Sequence, residues 1–372
     1  MAAPRPNSNA PDHATAVRHK GITLAACFAI NFLSSAFYRN AAFFYPSIME
    51  TFLVTREQAS LPLFVYGGFY HLGVLLGGTV IQLLTVWVAA VAGGFLLSLT
   101  LLSCFFASGI LFLTLVLGVL GGIGQGIMFN CSIVGLGDNF PSWRGLAIGV
   151  VMSGAPASSV IFPSLFKYVL EVHGLRGTLL LTGACLLNVP AIALLLRNPQ
   201  PNPAAETSQQ RVSVKSDLLT GAKAHHAHKC PSLPTIYEVN VDYAVDIGIS
   251  EGDAVHVIVL FSVTDTLCRF LMPCLTDRKL LSTAALLASS SLVASLLACS
   301  FTFVRGKVGF WVVALALGLP MGYINVGISE SASTVAGEDN QPMALGFMST
   351  AAAVGSFTTP SLIGDQLIAI FR

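Results

Sequence analysis

Two residues of opposite charge, Asp265 and Arg269, interrupt an otherwise apolar stretch that reads VTDTLCRFLMPCLTDRK from Val263 to Lys279. Four residues correspond to a little over one helical turn, so the carboxylate and the guanidinium share a helix face and can pair. The planar fork of Arg269 matches a carboxylate group bidentately, which makes it a candidate ligand for an anionic substrate. Asp265 can pair with Arg269 when the site is empty.

Charge inside an apolar stretch is costly in a membrane. A lone charge at the bilayer centre costs roughly 2.5–3.5 kcal/mol on insertion scales, so such residues usually face a bundle interior and mark a substrate or proton path. Burial favours the neutral form of Asp265, whereas the neighbouring arginine favours the charged form, and the sequence leaves open which effect is larger. A purely structural ion pair is the alternative to a transport role.

Two further charged residues occur in apolar runs: Arg39 in AFYRN and Glu330 in GISESA. Arginine stays protonated, so Arg39 can bind an anion but can hardly relay a proton, which leaves Asp265 or Glu330 as proton carrier. The alternatives are that Arg39, near the end of its helix, extends to the membrane interface and that Glu330 is a helix-end residue facing water. Tyr66 and Tyr70 could line a cavity, although lipid-facing aromatic residues are commoner.

The composition is that of a multi-pass membrane protein. Of 372 residues, 54% are hydrophobic and 10% charged, with a mean hydropathy of +0.75, whereas soluble domains have about 25% charged residues. A net charge of +1 with scattered basic residues argues against a nucleic-acid partner. Most of the eight cysteines lie in apolar runs, which predicts free buried thiols, for example Cys27, Cys104, Cys131, Cys185 and Cys299.

No catalytic, metal or cofactor site is expected. Around the serines no spacing of nucleophile and base recurs, so the chain is not expected to be an enzyme. His225, His226 and His228 could bind a metal ion, but a solvated loop cluster is the more frequent situation. The N-glycosylation triplet that begins at Asn130 falls in an apolar run and is interpreted as chance.

Apolar runs of about twenty residues predict an all-α fold with ten helices. Residues 1–20 are polar and predicted to be disordered, and residues 197–252 break the apolar pattern and indicate a central loop. The predicted helices cover 22–48, 60–83, 86–106, 109–134, 146–170, 176–196, 254–275, 281–304, 308–335 and 342–364.

The basic residues predict orientation but leave a conflict. The positive-inside rule places Arg18, Arg144, Arg197 and the pair Arg278-Lys279 in the cytoplasm. With residues 197–229 and the end of the 254–275 helix both inside, one more crossing is required between them. The candidate segment, 233–251, carries four acidic residues and cannot be a normal span. It is either a damaged helix held by its neighbours, or the second half is mis-threaded.

The stretch that begins at Asn139 reads NFPSWRGLAIGVVMSGAPASS, with a basic lead, a Leu-Ala-x-Gly step and a ladder of small residues. It resembles the signature after the fourth helix of the monocarboxylate transporter family, within the major facilitator superfamily. Arg144, Gly149 and Gly154 match this motif, and Asp277-Arg278 resembles the cytoplasmic end of the family's eighth helix. The resemblance implies that these five residues form a conformational motif.

The same resemblance implies roles for the charged residues. VTDTLCRF is similar to the eighth helix of the family, in which an aspartate and an arginine serve proton and carboxylate binding; these fall on Asp265 and Arg269. The family's proton-accepting lysine falls on Arg39, and a tenth-helix carboxylate on Glu330. The implied ligands are a small monocarboxylate and a proton, and the implied surroundings are a lipid bilayer, the plasma membrane and a single-span ancillary glycoprotein.

Parts of the family pattern are missing from this sequence. The first-helix signature, the charged loop after the second helix, most of the seventh helix and all of the twelfth are absent. We therefore expect a polytopic major facilitator fold with two helical bundles and an incomplete second half. The expected units are residues 1–20 (N-terminus), 21–197 (six-helix bundle), 198–252 (central loop with a helix-7 remnant) and 253–372 (truncated bundle of about four helices).

The expected function is secondary active transport of lactate-like or pyruvate-like monocarboxylates with a proton, by alternating access. The alternative is a truncated or alternatively spliced family member that does not transport and acts only by assembly with other membrane proteins.

Overall fold

The computed structural model describes residues 13–137, 140, 143–197, 251–300 and 306–363, and these residues form an all-helical membrane protein. The predicted loop histidines and the 233–250 part of the proposed seventh-helix remnant lie outside the described residues. The helices are α1 (His13–Tyr38), α2 (Phe44–Phe52), α3 (Arg56–Leu83), α4 (Val86–Ser103), α5 (Ile110–Val134), α6 (Arg144–Met152), α7 (Gly154–Leu186), α8 (Asn188–Ala193), α9 (Glu251–Asp277), α10 (Thr283–Ser300), α11 (Lys307–Ala336) and α12 (Gln341–Ile363).

Most of the predicted helices are present, and eight stretches of the described chain are long and apolar enough to cross a membrane. The predicted boundary between 170 and 176 is confirmed, because Gly174 breaks α7 with a φ of 65°. This positive φ is favourable only for glycine. The prediction of one continuous helix over 22–48 is wrong, since α1 ends at Tyr38 and the chain turns through residues 39–43 before α2 begins.

The break after α1 is stabilised locally. The backbone amide of Arg39 still donates to the Ser35 carbonyl, whereas the amide of Asn40 donates to Phe37 and its side-chain amide donates to Ala36 at 2.7 Å. These bonds satisfy carbonyl groups that a helix end would otherwise leave bare. The first helix, α1, therefore ends inside the bundle, with Arg39 at its end.

The ends of several helices define one face of the molecule, which we call the basic face. Arg197 lies over the Trp87 ring at the start of α4, with 5.4 Å from its guanidinium carbon to the ring centroid. Asp277 at the end of α9 accepts hydrogen bonds from the start of α6, the helix that begins at Arg144. Arg144, Arg197 and Arg278 thus share the face that the positive-inside rule assigns to the cytoplasm.

This arrangement gives the direction of α9. Because α9 runs antiparallel to α6 and ends on the basic face, Glu251 lies at the opposite end of the bundle from Arg197.

The buried apolar residues form three clusters. One lies among α1–α8 and includes Phe37, Tyr66 and Leu97; a second lies among α9–α11 and includes Phe261 and Phe310. The third joins the two groups of helices, with Val74 and Met152 on one side and Val326 and Leu345 on the other. We call these groups the first half (α1–α8) and the second half (α9–α12).

The described cysteines Cys27, Cys104, Cys131, Cys185, Cys268 and Cys274 are free, as predicted. Cys27, Cys104 and Cys131 are buried, but Cys185 and Cys299 are exposed, so their predicted burial is wrong. An apolar run places a residue within the membrane and does not distinguish a lipid-facing position from a core position.

Small residues allow close helix packing in the first half. A Cβ added at Gly126 of α5 would overlap the backbone of Tyr70 and Gly73 on α3, whereas one at Gly109 would meet nothing within 4 Å.

We therefore expect Gly126→Ala to lower the melting temperature of the detergent-solubilised protein, because overpacking costs about 1–3 kcal/mol. Gly109→Ala is the matched control and should melt as the wild type does. Equal melting of all three proteins would contradict the α3–α5 contact.

Candidate functional site

Three charged side chains meet between the two halves. Arg269 donates to Asp265 through Nε to Oδ1 at 2.7 Å and through Nη2 to Oδ2 at 3.1 Å. Arg39, at the end of α1, donates from Nη2 to Asp265 Oδ2 at 2.8 Å. We call Arg39, Asp265 and Arg269 the charged triad.

The charged triad is removed from solvent. Asp265 has no exposed surface, and Arg269 and Arg39 are 2% and 5% exposed. The predicted pairing of Asp265 with Arg269 is present, and the alternative in which Arg39 extends to the interface is wrong, because the helix end that carries Arg39 lies inside the bundle. Two guanidinium groups face one carboxylate, so the triad has one more cation than anions.

The backbone of the first half completes the site. Nη1 of Arg269 donates to the Met152 carbonyl at 2.7 Å, where α6 ends. Gly149, one turn earlier, lets α9 approach closely, since an added Cβ would overlap the Arg269 carbonyl oxygen. The Met152 carbonyl could not be predicted from sequence, because a backbone acceptor becomes available only where a helix ends near its donor.

The charged triad lies about halfway across the membrane. Asp265 precedes the end of α9 by twelve residues, or about 18 Å at 1.5 Å per residue, in a hydrocarbon core about 30 Å thick. Binding sites of secondary transporters lie near the midplane, at the interface between repeats.

Aromatic rings of α3 border this site. Tyr70 stacks on Tyr38, the residue before Arg39, with ring centroids 4.8 Å apart, and Tyr66 stacks on the same Tyr38 ring at 5.5 Å. Tyr66 is 1% exposed, so the lipid-facing alternative is wrong for this residue.

Glu330 lies elsewhere. Its carboxylate accepts from Thr283 at 3.0 Å and from Thr276 at 3.4 Å, near the basic face. Thr276 follows Asp265 by eleven residues, or about 16 Å along α9. The structure therefore does not bring Glu330 to the charged triad, and it is a half-buried residue near a helix end.

Two residues of the predicted conformational motif, Asp277 and Arg144, join the halves at the basic face. Both oxygens of Asp277 accept backbone amides at the start of α6, from Gly145 at 3.1 Å and from Leu146 at 2.9 Å. A carboxylate at a helix N-terminus satisfies free amides and the helix dipole together. Arg144 donates to Gln341 on α12 at 2.8 Å.

The other motif residues differ in position. Gly154 lets α7 approach Phe28 and Phe32 of α1, and Arg278 is exposed.

Sequence reasoning missed Asn130, whose side-chain amide donates to Val74 at 2.8 Å and to Pro342, in the other half, at 3.0 Å. A buried amide in an apolar helix was the available signal. Its burial agrees with the interpretation of the glycosylation triplet as chance.

Comparison with known proteins gives the family. The model of the Major Facilitator Superfamily matches residues 27–229, more than half of the chain. The chain belongs to the Major Facilitator Superfamily. A crystal structure of the E. coli fucose:proton symporter has the same fold, with a TM-score of 0.67 and 16% identity over 94% of this chain and 92% of that one.

The sequence is also similar to monocarboxylate transporters. Human monocarboxylate transporter 12 is 25% identical over 297 residues, covering 69% of this chain and 57% of that protein. Human monocarboxylate transporter 11 is 34% identical over 183 residues, covering 47% of this chain and 37% of that protein. This Major Facilitator Superfamily chain spans about half the length of the first curated relatives that it matches. These relatives are named as transporters, in agreement with the prediction that the chain is not an enzyme.

The cap formed by Asp277 yields a prediction about the basic face. We expect Asp277→Ala to raise the reaction of a cysteine placed at Ala147 with a water-soluble thiol reagent several-fold. Ala147 is 5% exposed inside the closed contact, and loss of an N-terminal cap costs about 0.5–2 kcal/mol.

Asp339→Ala, at an exposed aspartate, is the control and should leave the labelling rate unchanged. Unchanged labelling in the Asp277 variant would mean that this cap does not close the face.

Proposed function

We propose that this protein transports small monocarboxylates of the lactate and pyruvate kind, together with a proton, by alternating access between its halves. The observation that carries the proposal is the charged triad, in which two buried guanidinium groups share one carboxylate between the halves. The similarity to monocarboxylate transporters 11 and 12 supports the class of substrate.

In the proposed cycle the substrate carboxylate takes the place of Asp265 on one of the two arginines. Its negative charge balances the second guanidinium, so both cations are paired when substrate is bound. Charge-assisted bonds of this kind are about twice as strong as neutral ones and favour a planar carboxylate. A neutral analogue of the same shape would leave a buried cation unpaired, which excludes it.

Closure of the basic face by Asp277, Arg144 and Asn130 supports an alternating mechanism. These contacts join the two halves through hydrogen bonds that can break and re-form, while the charged triad is held deeper in the same contact. In this conformation the triad is buried. We propose residues 21–197 and 253–372 as the two moving bundles and the plasma membrane as the location. An ancillary single-span glycoprotein is a further proposed partner.

The test is uptake of labelled lactate by purified protein in liposomes. We expect Asp265→Asn and Arg269→Lys each to reduce uptake roughly 10- to 100-fold, because a hydrogen bond to a charged group contributes about 1.5–3 kcal/mol.

Arg176→Lys, at an exposed arginine on α7, is the matched control and should transport like the wild type. Full transport by both triad variants would disprove the site assignment. A wild-type protein that folds but shows neither uptake nor stabilisation by lactate would favour the alternative of a family member that does not transport.

A further inference from the structure

Glu330 on α11 is a half-buried carboxylate that lies apart from the charged triad. Its Oε1 accepts a hydrogen bond from Thr283 at the start of α10, and its Oε2 accepts one from Thr276 near the end of α9. Among the described residues no cationic side chain pairs with this carboxylate. An ionised Glu330 therefore carries negative charge that the described protein groups solvate but do not balance.

The two threonines supply too few protons for the oxygens around them. The Thr276 hydroxyl group lies 3.0 Å from the Pro273 carbonyl oxygen and 3.4 Å from Oε2 of Glu330. A hydroxyl group has a single proton, so it cannot donate fully to both acceptors, and the carbonyl oxygen is the nearer one. Oε2 of Glu330 can therefore take a further positive partner.

A buried hydroxyl group adjoins the same threonines. Tyr323 precedes Glu330 by two helical turns, so both side chains lie on one face of α11. The Tyr323 hydroxyl group lies beside the side chains of Thr276 and Thr283 but makes no well-aligned hydrogen bond with a described residue. Tyr323 is 0% exposed. A buried polar group without a partner calls for an explanation, and a bound ion is one.

We call Glu330, Thr276, Thr283 and Tyr323 the oxygen cluster. It joins three helices, because its members come from the end of α9, the start of α10 and the last part of α11. Glu330 precedes the end of α11 by six residues, or about 9 Å along the helix axis. Glu330 and Thr283 are only half-buried, so an ion can enter from water at the basic face without passing the charged triad.

The chemistry of the oxygen cluster selects the kind of ligand. Carboxylate, hydroxyl and carbonyl oxygens bind hard cations, whereas zinc and related metals prefer nitrogen and sulfur, which these four side chains lack. Calcium sites usually contain several carboxylates. Asp277 lies near Glu330, but both of its oxygens accept backbone amides of α6. A single available carboxylate balances a single positive charge.

We propose that the oxygen cluster binds a monovalent alkali cation, Na⁺ or K⁺. The cation balances the charge of Glu330, and the hydroxyl oxygens direct lone pairs to it, while the proton of Thr276 turns to the Pro273 carbonyl. Because α10 packs mainly against α11, a cation shared by three helices holds α10 in place at the basic face. The site is separate from the charged triad, so this inference goes beyond the proposed function.

The experiment measures the melting temperature of the detergent-solubilised protein in NaCl, KCl or choline chloride at equal ionic strength, without lactate. Binding of radioactive Na⁺, or of Rb⁺ in place of K⁺, is measured on the same samples. We expect Na⁺ or K⁺ to raise the melting temperature saturably relative to choline, because a ligand that binds the native state stabilises it. Glu330→Gln should weaken the apparent affinity roughly tenfold or more, since it removes the charged ligand. Tyr323→Phe, which removes one oxygen, should weaken it several-fold.

The matched controls are Glu171→Gln and Tyr168→Phe, at exposed residues of α7, and both should bind the cation as the wild type does. Saturable binding that both cluster variants weaken and both controls keep supports the inference, and the more effective ion is the ligand.

Equal melting in the three salts together with no saturable cation binding overturns the inference, as does wild-type affinity in Glu330→Gln. If Glu330→Gln does not fold, Tyr323→Phe decides, because it leaves the packing of the ring in place. Since these measurements contain no lactate, their failure leaves the proposed function standing, and absence of lactate uptake leaves this inference standing.

Discussion

The desolvation of Asp265 is the constraint on which much of this structure depends. A carboxylate with no exposed surface in the middle of a membrane protein must be surrounded by donors, and here all of its observed bonds come from two arginines on different helices. This requirement accounts for the early end of α1, which brings Arg39 inward. It also requires α9 to lie close to α6, which Gly149 permits.

The contacts between the halves are of two kinds, and the difference suits a protein that must change shape. Apolar residues of the third cluster bury surface between the halves without requiring a particular orientation. Asp277, Arg144 and Asn130 instead make directional hydrogen bonds at the basic face. Two of these three side chains bond to backbone groups of the other half. Such bonds require a particular register of the halves, so they are lost together when the register changes.

Contacts between residues close in the chain could be predicted from the sequence, whereas contacts between distant segments could not. The pair Asp265 and Arg269 is a helix-spacing argument and needs no knowledge of the fold. Arg39 was a candidate for anion binding, but interface extension was an equal alternative, because sequence does not show that its helix ends inside the bundle. Glu330 matched a family position, and its distance from the charged triad became visible only when α9 and α11 were placed.

By itself the sequence determined the membrane class, nearly all helix positions and the resemblance to monocarboxylate transporters, because hydrophobic length and motif spacing are properties of contiguous residues. The tertiary structure decided the break after Tyr38, the direction of α9 and the union of Arg39 with Asp265 across 226 residues of chain. It also decided which cysteines and aromatic rings are buried. These features follow from the desolvation cost of charges and from helix contacts, and neither can be evaluated until distant segments lie side by side.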